Sequence, residues 1–274
     1  MKKPLACLAL QLLLINVVSG QPSPNTTDAL TVPILAYHRF GPTVADSMTV
    51  RTSTFAWQLR YLREHGYTVI RLKDYVDYRR GLRPALPARA VVITADDGHR
   101  SVYSEMFPLV RQAGIPVTLF IYPSAISHAS YALTWDELTE LTRSGLFTVE
   151  SHTYWHPNFH VEKRRLGSAQ YTALVRTQLT LSKRVLQQRL GISVDLLAWP
   201  YGIYDEQLMN EARAAGYVAA FALAGRPARV SDPLLALPRF LMTDHDVGAA
   251  FGRLLGERAE AGQSASFPRA RRQP

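Results

Sequence analysis

Residues 90–122 read AVVITADDGHRSVYSEMFPLVRQAGIPVTLFIY. The stretch opens on AVVIT (90–94), a short apolar run rich in β-branched residues, and closes on a second one, PVTLFIY (116–122). Between them lies a helical candidate near residues 100–113, ended by Gly114. Strand, helix and strand in this order form a parallel crossover, because parallel neighbours need a connection of a dozen or more residues. The alternation extends both ways. Further apolar runs are VPILAY (32–37), YTVI (67–70), LFTVE (146–150), DLLAW (195–199), YVAAFAL (217–223) and LPRFLM (237–242). Helical candidates lie near 54–65, 72–80, 134–144, 169–190, 204–215 and 246–256. About eight strands in some 220 residues predict an α/β fold, a (β/α) barrel of seven to eight parallel strands, complete or missing one. No Gly-x-Gly-x-x-Gly follows the first strand, which argues against a dinucleotide-binding sheet.

Composition agrees with a globular domain: 47% of the 274 residues are hydrophobic and 19% are charged, enough to exclude intrinsic disorder. The only cysteine, Cys7, lies in the first apolar run. A cysteine-based zinc site, a thiol nucleophile and a disulfide framework are therefore not expected. The start, Met1-Lys2-Lys3, then an apolar run from Pro4 to Val18 and Ser19-Gly20, has the layout of a signal peptide cut after residue 20. That predicts a secreted or periplasmic protein. An uncleaved anchor is the alternative, although the run is short for a membrane span. Residues 21–30 read as a polar linker, 31–256 as the folded domain and 257–274 as a disordered basic tail.

The formal charge is +9, and Arg253, Arg258, Arg269, Arg271 and Arg272 against Glu257 and Glu260 leave an excess of basic charge at the end of the chain. No Lys/Arg stripe with interleaved aromatics marks a nucleic-acid surface, so no nucleic-acid partner is expected. The tail reads either as a solvated end or as a contact with an anionic envelope surface.

In such barrels the chemistry sits at the C-terminal ends of the strands. Asp96, Asp97 and Gly98 follow AVVIT; Ser151, His152, Thr153, Tyr154, Trp155, His156 and Pro157 follow LFTVE; Pro200, Tyr201 and Gly202 follow DLLAW; Tyr37 and His38 end the first run. Adjacent carboxylates at a strand end repel unless something positive lies between them or their roles differ. Asp97, His152 and His156 make a two-histidine, one-carboxylate set with open positions, suited to Zn²⁺ and compatible with Co²⁺, Ni²⁺, Fe²⁺ or Mn²⁺. The two histidines can face one ion only if the turn between them folds back. Tyr37, Tyr154, Trp155, Trp199 and Tyr201 also fall at predicted strand ends, where ring faces can stack on a substrate, with a core position as the alternative for Trp155 and Trp199.

At these residues the sequence resembles the polysaccharide deacetylases of carbohydrate esterase family four, the NodB-homology group. That family's Thr-Phe-Asp-Asp-Gly is matched by Thr94-Ala95-Asp96-Asp97-Gly98, and its Ser-His-Thr-x-x-His-Pro by Ser151 to Pro157. The resemblance spans roughly residues 31–245. It implies metal-dependent removal of N-acetyl groups from an N-acetylated polysaccharide, with Asp96 as catalytic base and Asp97, His152 and His156 as metal ligands. The third motif, Arg-x-Pro-Tyr-Gly, stands here as Ala198-Trp199-Pro200-Tyr201-Gly202, so the arginine that steadies the aspartate in typical members is missing. This departure, together with Pro33 to His38, is similar to the branch acting on poly-β-1,6-N-acetylglucosamine. Trp199, Pro200, Tyr201 and Tyr37 are the expected substrate contacts, with the Tyr201 N–H facing the oxyanion. His245 and His38 are the two candidates for the general acid. A glycosidase using Asp96 and Asp97, or a silent carbohydrate-binding protein, are the rival readings.

Overall fold

A computed structural model describes residues 30–257. The apolar N-terminal run, the linker up to residue 29 and the tail from residue 258 lie outside the described residues. In chain order the strands and helices are β1 (Thr31–Val32), β2 (Ile34–Tyr37), β3 (Arg39–Gly41), β4 (Thr49–Arg51), α1 (Thr52–Glu64), β5 (Thr68–Val69), α2 (Leu72–Arg79), β6 (Ala90–Asp96), α3 (Phe107–Ala113), β7 (Val117–Ile121), α4 (Trp135–Arg143), β8 (Phe147–Ser151), α5 (Phe159–Arg165), α6 (Ser168–Leu190), β9 (Leu196–Ala198), α7 (Glu206–Ala214), β10 (Ala219–Phe221), β11 (Ala228–Arg229), β12 (Phe240–Leu241) and α8 (Gly248–Leu254).

The main sheet follows the order β10-β9-β8-β7-β6-β2-β12, with β5 pairing on the first residues of β6. All of its pairings are parallel. The sheet curls, and its two ends approach each other through residues 237–241. Leu237 N–H donates to Ala220 O and Ala224 N–H to Arg239 O, while Phe240 and Leu241 pair with β2. The result is an incomplete (β/α) barrel, as the spacing of apolar runs predicts.

Each apolar run identified in the sequence contains a strand of this sheet. The helices match the periodic segments, with two differences. Residues 102–106 form a π-helical turn before α3, and α5 is a helix that no periodic pattern marks. It is short and highly charged, it buries only Phe159 and Glu162, and it starts because the Asn158 side chain accepts the Val161 N–H at 3.1 Å.

Period-two alternation along β6 sorts its side chains. Val91, Ile93 and Ala95 pack beneath the helices with Phe55, Leu62 and Val110, whereas Ala90 and Val92 belong to a second cluster with Ile34, Phe120 and Phe221. Thr94 and Asp96 continue that second face, so the polar end of the strand lies over an apolar floor. In the first cluster Phe55 is fully buried, edge-on to Tyr37 at 5.1 Å and 5.0 Å from Phe40. Phe55→Ala should cost about 3–5 kcal/mol, the usual range for truncating a buried aromatic. Equilibrium urea unfolding measures it, and a loss below about 1 kcal/mol would show that this cluster does not anchor α1.

Candidate active site

The register Tyr37↔Ala95 between β2 and β6 brings His38 abreast of Asp96. On the other side, β7 and β8 pair through Ile121↔Ser151, which brings His152 level with the same strand ends. The turn after β6 is forced open by Asp97 at φ 71° and Gly98 at φ 71°. A Cβ on Gly98 would stand 2.9 Å from Ile121 Cδ1, so only glycine fits there. The fold-back that the histidine pair requires is made by Thr153 at φ 65° and His156 at φ 63°.

These turns bring Asp97, His152 and His156 together, with one ligand atom from each lying within 4.8 Å of the others. Asp97 Oδ1 stands 3.6 Å from Nε2 of both histidines. That oxygen is buried and has no hydrogen-bond partner. His152 Nδ1 lies 2.8 Å from Ala198 O. A carbonyl only accepts, so Nδ1 carries the proton and Nε2 keeps a lone pair directed at the cluster. Burial drives the His152 pKa down to about 3 against the pull of Asp96, and burial also lowers His156. Two neutral imidazoles and an unpartnered carboxylate oxygen fit a divalent cation.

Asp96 occupies a different environment. Arg239 Nη1 and Nη2 donate to its two carboxylate oxygens, each at 2.7 Å. Arg239 is 0% exposed, donates also to Thr94 Oγ1 at 3.1 Å, and lies 5.1 Å from the centre of the Phe120 ring. Burial pushes the Asp96 carboxyl up, but Arg239 outweighs it and brings the pKa down to about 2. Asp97 moves the opposite way, raised by burial and by its neighbour Asp96. Sequence reasoning finds the arginine of the third motif missing; the structure supplies an arginine to the same carboxylate from the segment entering β12. The available signal is a lone arginine inside the apolar run LPRFLM.

The remaining candidates separate clearly. His38 is buried, its Nδ1 has no partner, and burial lowers its pKa against the opposing pull of Asp96 and Asp97. His245 is exposed, on a turn whose Asp244 is tied to Arg51 and Thr54 and whose Asp246 accepts from Thr243. Tyr201, at φ 57°, is 59% exposed, and its ring lies 4.6 Å from that of His156. The bend is locked by Gly202, where a Cβ would stand 2.8 Å from Leu223 N. Pro200 is buried beneath it.

Tyr37 and Trp199 are corrected as sugar-stacking residues. Both are fully buried; Tyr37 donates its hydroxyl to Gln58 Oε1 and Trp199 donates Nε1–H to Leu235 O. Each follows an apolar strand into the core, and each polar atom finds its partner there. The exposed rings instead include Tyr131, Trp155 and Tyr201. With Tyr122, His128 and His156 they line an open groove of about 520 Å³.

Residues 83–220 match the family described as polysaccharide deacetylase. The chain is 26% identical over 247 residues to a poly-β-1,6-N-acetyl-D-glucosamine N-deacetylase of Escherichia coli K12, covering 77% of this chain and 36% of that one. It therefore spans little more than a third of the length of that relative. It is 25% identical over 201 residues to the Staphylococcus aureus MRSA252 enzyme of the same name, covering 72% of this chain and 68% of that one. Among solved structures, IcaB from Ammonifex degensii superposes with a TM-score of 0.71 at 26% identity, covering 83% of this chain and 97% of the other. The Streptococcus pyogenes deacetylase PplD shares the fold, with a TM-score of 0.73 at 20% identity over 82% of this chain and 98% of the other.

Removing the arginine should strand a buried charge. Arg239→Met is expected to cost about 3–5 kcal/mol at pH 7, and adding Asp96→Asn should recover part of that loss. In the wild type, a carboxyl lowered from 3.8 to about 2 stabilises the fold above its unfolded value and loses that contribution as pH falls from 3.8 through about 2. Urea unfolding across this window, on wild type and both variants, tests the pair. No recovery in the double variant would mean that Arg239 acts by packing alone.

Proposed function

The chain belongs to the polysaccharide deacetylase family, and we propose that it hydrolyses N-acetyl groups of poly-β-1,6-N-acetylglucosamine in a Zn²⁺-dependent reaction outside the cytoplasm. The observation that carries the reading is the division of labour between two adjacent aspartates. Asp96 has both oxygens on Arg239, whereas Asp97 leaves a buried oxygen free between two neutral imidazoles. The linkage rests on the names of the E. coli and S. aureus relatives. The location rests on the charged start and short apolar run of residues 1–20.

Asp97, His152 and His156 would hold a divalent cation, which when bound would supply Lewis acidity and bring the pKa of water from 15.7 toward about 7. Asp96 accepts the proton of the attacking water on a carboxylate oxygen, and Arg239 keeps that carboxylate ionised and fixed in direction. The water oxygen bonds to the acetamide carbon, and the Tyr201 backbone N–H donates to the carbonyl oxygen as its charge grows. His38, neutral at rest because burial lowers its pKa, takes up the proton that Asp96 removed from water and passes it to the departing nitrogen as the C–N bond breaks, because an amide anion is too basic to leave unassisted. The products are acetate and a free glucosamine amine. His38 takes this role ahead of His245 because it stands beside Asp96 and carries an unpartnered ring nitrogen.

The rival readings fare worse against the same geometry. A glycosidase needs one carboxyl protonated near neutral pH, and Asp96, clamped by Arg239, is the wrong candidate for that. A silent binding protein has no use for a buried carboxylate-arginine pair beside a ligand cluster.

Release of free amines from acetylated β-1,6-linked oligomers, compared with β-1,4-linked ones and with and without a chelator, tests the activity and the linkage together. We expect chelator-sensitive release from the β-1,6 series, and equal or greater release from the β-1,4 series would move the substrate to a chitin-like polymer.

The two aspartates should part company on substitution. Asp97→Ala and His152→Ala should lose metal and turnover together. Asp96→Asn should retain metal and lose at least about two orders of magnitude in kcat, the lower end of a general base's contribution. Metal content and turnover on the same preparations decide it: a metal-free Asp96→Asn beside a metal-loaded Asp97→Ala would exchange the two roles.

A further inference from the structure

In a (β/α) barrel each helix runs back against the strand it follows, so helix C-termini collect at the pole opposite the catalytic groove. Here α1, α2, α3, α4, α6 and α7 lead respectively into β5, β6, β7, β8, β9 and β10. All six helices carry an arginine in the last turn. One such arginine satisfies a helix dipole. Around a barrel they amount to a charged face.

Arg63, Arg111, Arg143, Arg189 and Arg213 are exposed, and none forms an ion pair among the described residues. The loop entering β6 adds Arg80, also exposed and unpaired, and next to it Leu82, which is 64% exposed. The acids at this pole offset little of that charge. Glu257 is taken by Arg89 and Asp77 by Lys73, Asp195 lies 3.7 Å from Lys183, and Glu140 accepts from Tyr103, which leaves Glu64 exposed beside Arg63. On the catalytic side Arg39, Arg51, Lys163 and Arg165 each hold a carboxylate, whereas Arg100 and Arg164 are exposed without an ion pair among the described residues.

Both ends of the described chain also reach this pole. Thr31 enters just before β2, and Glu257 is held by Arg89, Tyr61 and Tyr67.

We propose that this arginine pole is a docking surface for the anionic headgroups of a phospholipid bilayer, bound so that the catalytic groove faces away from the membrane. Charge complementarity favours an anionic partner. The exposed Leu82 among arginines favours a lipid surface over a soluble polyanion, which offers nothing to an apolar side chain. No described helix is long and apolar enough to cross a membrane, so the described domain docks at the surface.

Sedimentation of the full chain with phosphatidylglycerol vesicles, in excess over phosphatidylcholine vesicles, isolates the charge-dependent part. Each basic residue near an anionic bilayer contributes on the order of fivefold in partitioning. The triple variant Arg111→Glu, Arg143→Glu, Arg189→Glu should therefore bind at least about tenfold more weakly, with amine release from soluble oligomers unchanged. Independently of any variant, hydrogen exchange of the wild type with phosphatidylglycerol vesicles should slow in residues 80–89 and 111–116 and not in the loops after β7, β8 and β9. Unchanged binding of the triple variant overturns the proposal, as does protection confined to the groove loops. Tighter binding to heparin than to vesicles of equal charge would assign the face to a soluble polyanion and overturn it too.

Discussion

The buried pair between Arg239 and Asp96 joins the segment entering the last strand, β12, to the end of β6, an inner strand of the sheet. An isolated buried carboxylate or guanidinium is costly, and the two together persist because each carboxylate oxygen accepts from one guanidinium nitrogen in a bidentate geometry. Thr94, the Ala222 carbonyl and the Phe120 ring complete the surroundings of the guanidinium. The arginine's backbone carbonyl meanwhile accepts from Ala224 and Gly225, tying the segment to the chain beyond β10. The same residue therefore draws the ends of the curled sheet together and sets the charge state of the carboxylate at the site.

Backbone strain is concentrated where the chemistry is. Of the five non-glycine residues with positive φ among the described residues, four are Asp97, Thr153, His156 and Tyr201. Left-handed conformations cost free energy that a surrounding rigid scaffold must supply, and they recur where side chains must be aimed against the strand direction. Asp97 and His156 are aimed in this way at His152, which sits in the ordinary pleat at the end of β8. Its orientation comes from the Ala198 carbonyl across the sheet.

The two poles of the barrel differ in character. One end carries the ligand cluster, exposed rings and an open groove. The opposite end gathers helix termini and both ends of the described chain. The antiparallel course of helix against strand creates this polarity, so the last-turn arginines of α1, α2, α3, α4, α6 and α7 are delivered to the same face.

Much of this was legible in the sequence. Apolar runs at regular intervals, with helical segments ended by glycines, dictate a parallel barrel because the period of a run is a local property. Asp96-Asp97-Gly98 and Ser151 to Pro157 were also legible, since a strand end followed at once by ligand-type residues places them at the barrel mouth. The helix over 159–165 was not, because it rests on one capping side chain and has little apolar face. Nor could the sequence separate Tyr37 and Trp199 from Trp155 and Tyr201: all four follow apolar runs, and which ring turns inward depends on whether a partner such as Gln58 or the Leu235 carbonyl waits in the core. The partnership of Arg239 with Asp96 was beyond it for the same reason. The residues lie 143 positions apart, and only the curling of the sheet, which brings β12 beside β2 and β2 beside β6, makes them neighbours.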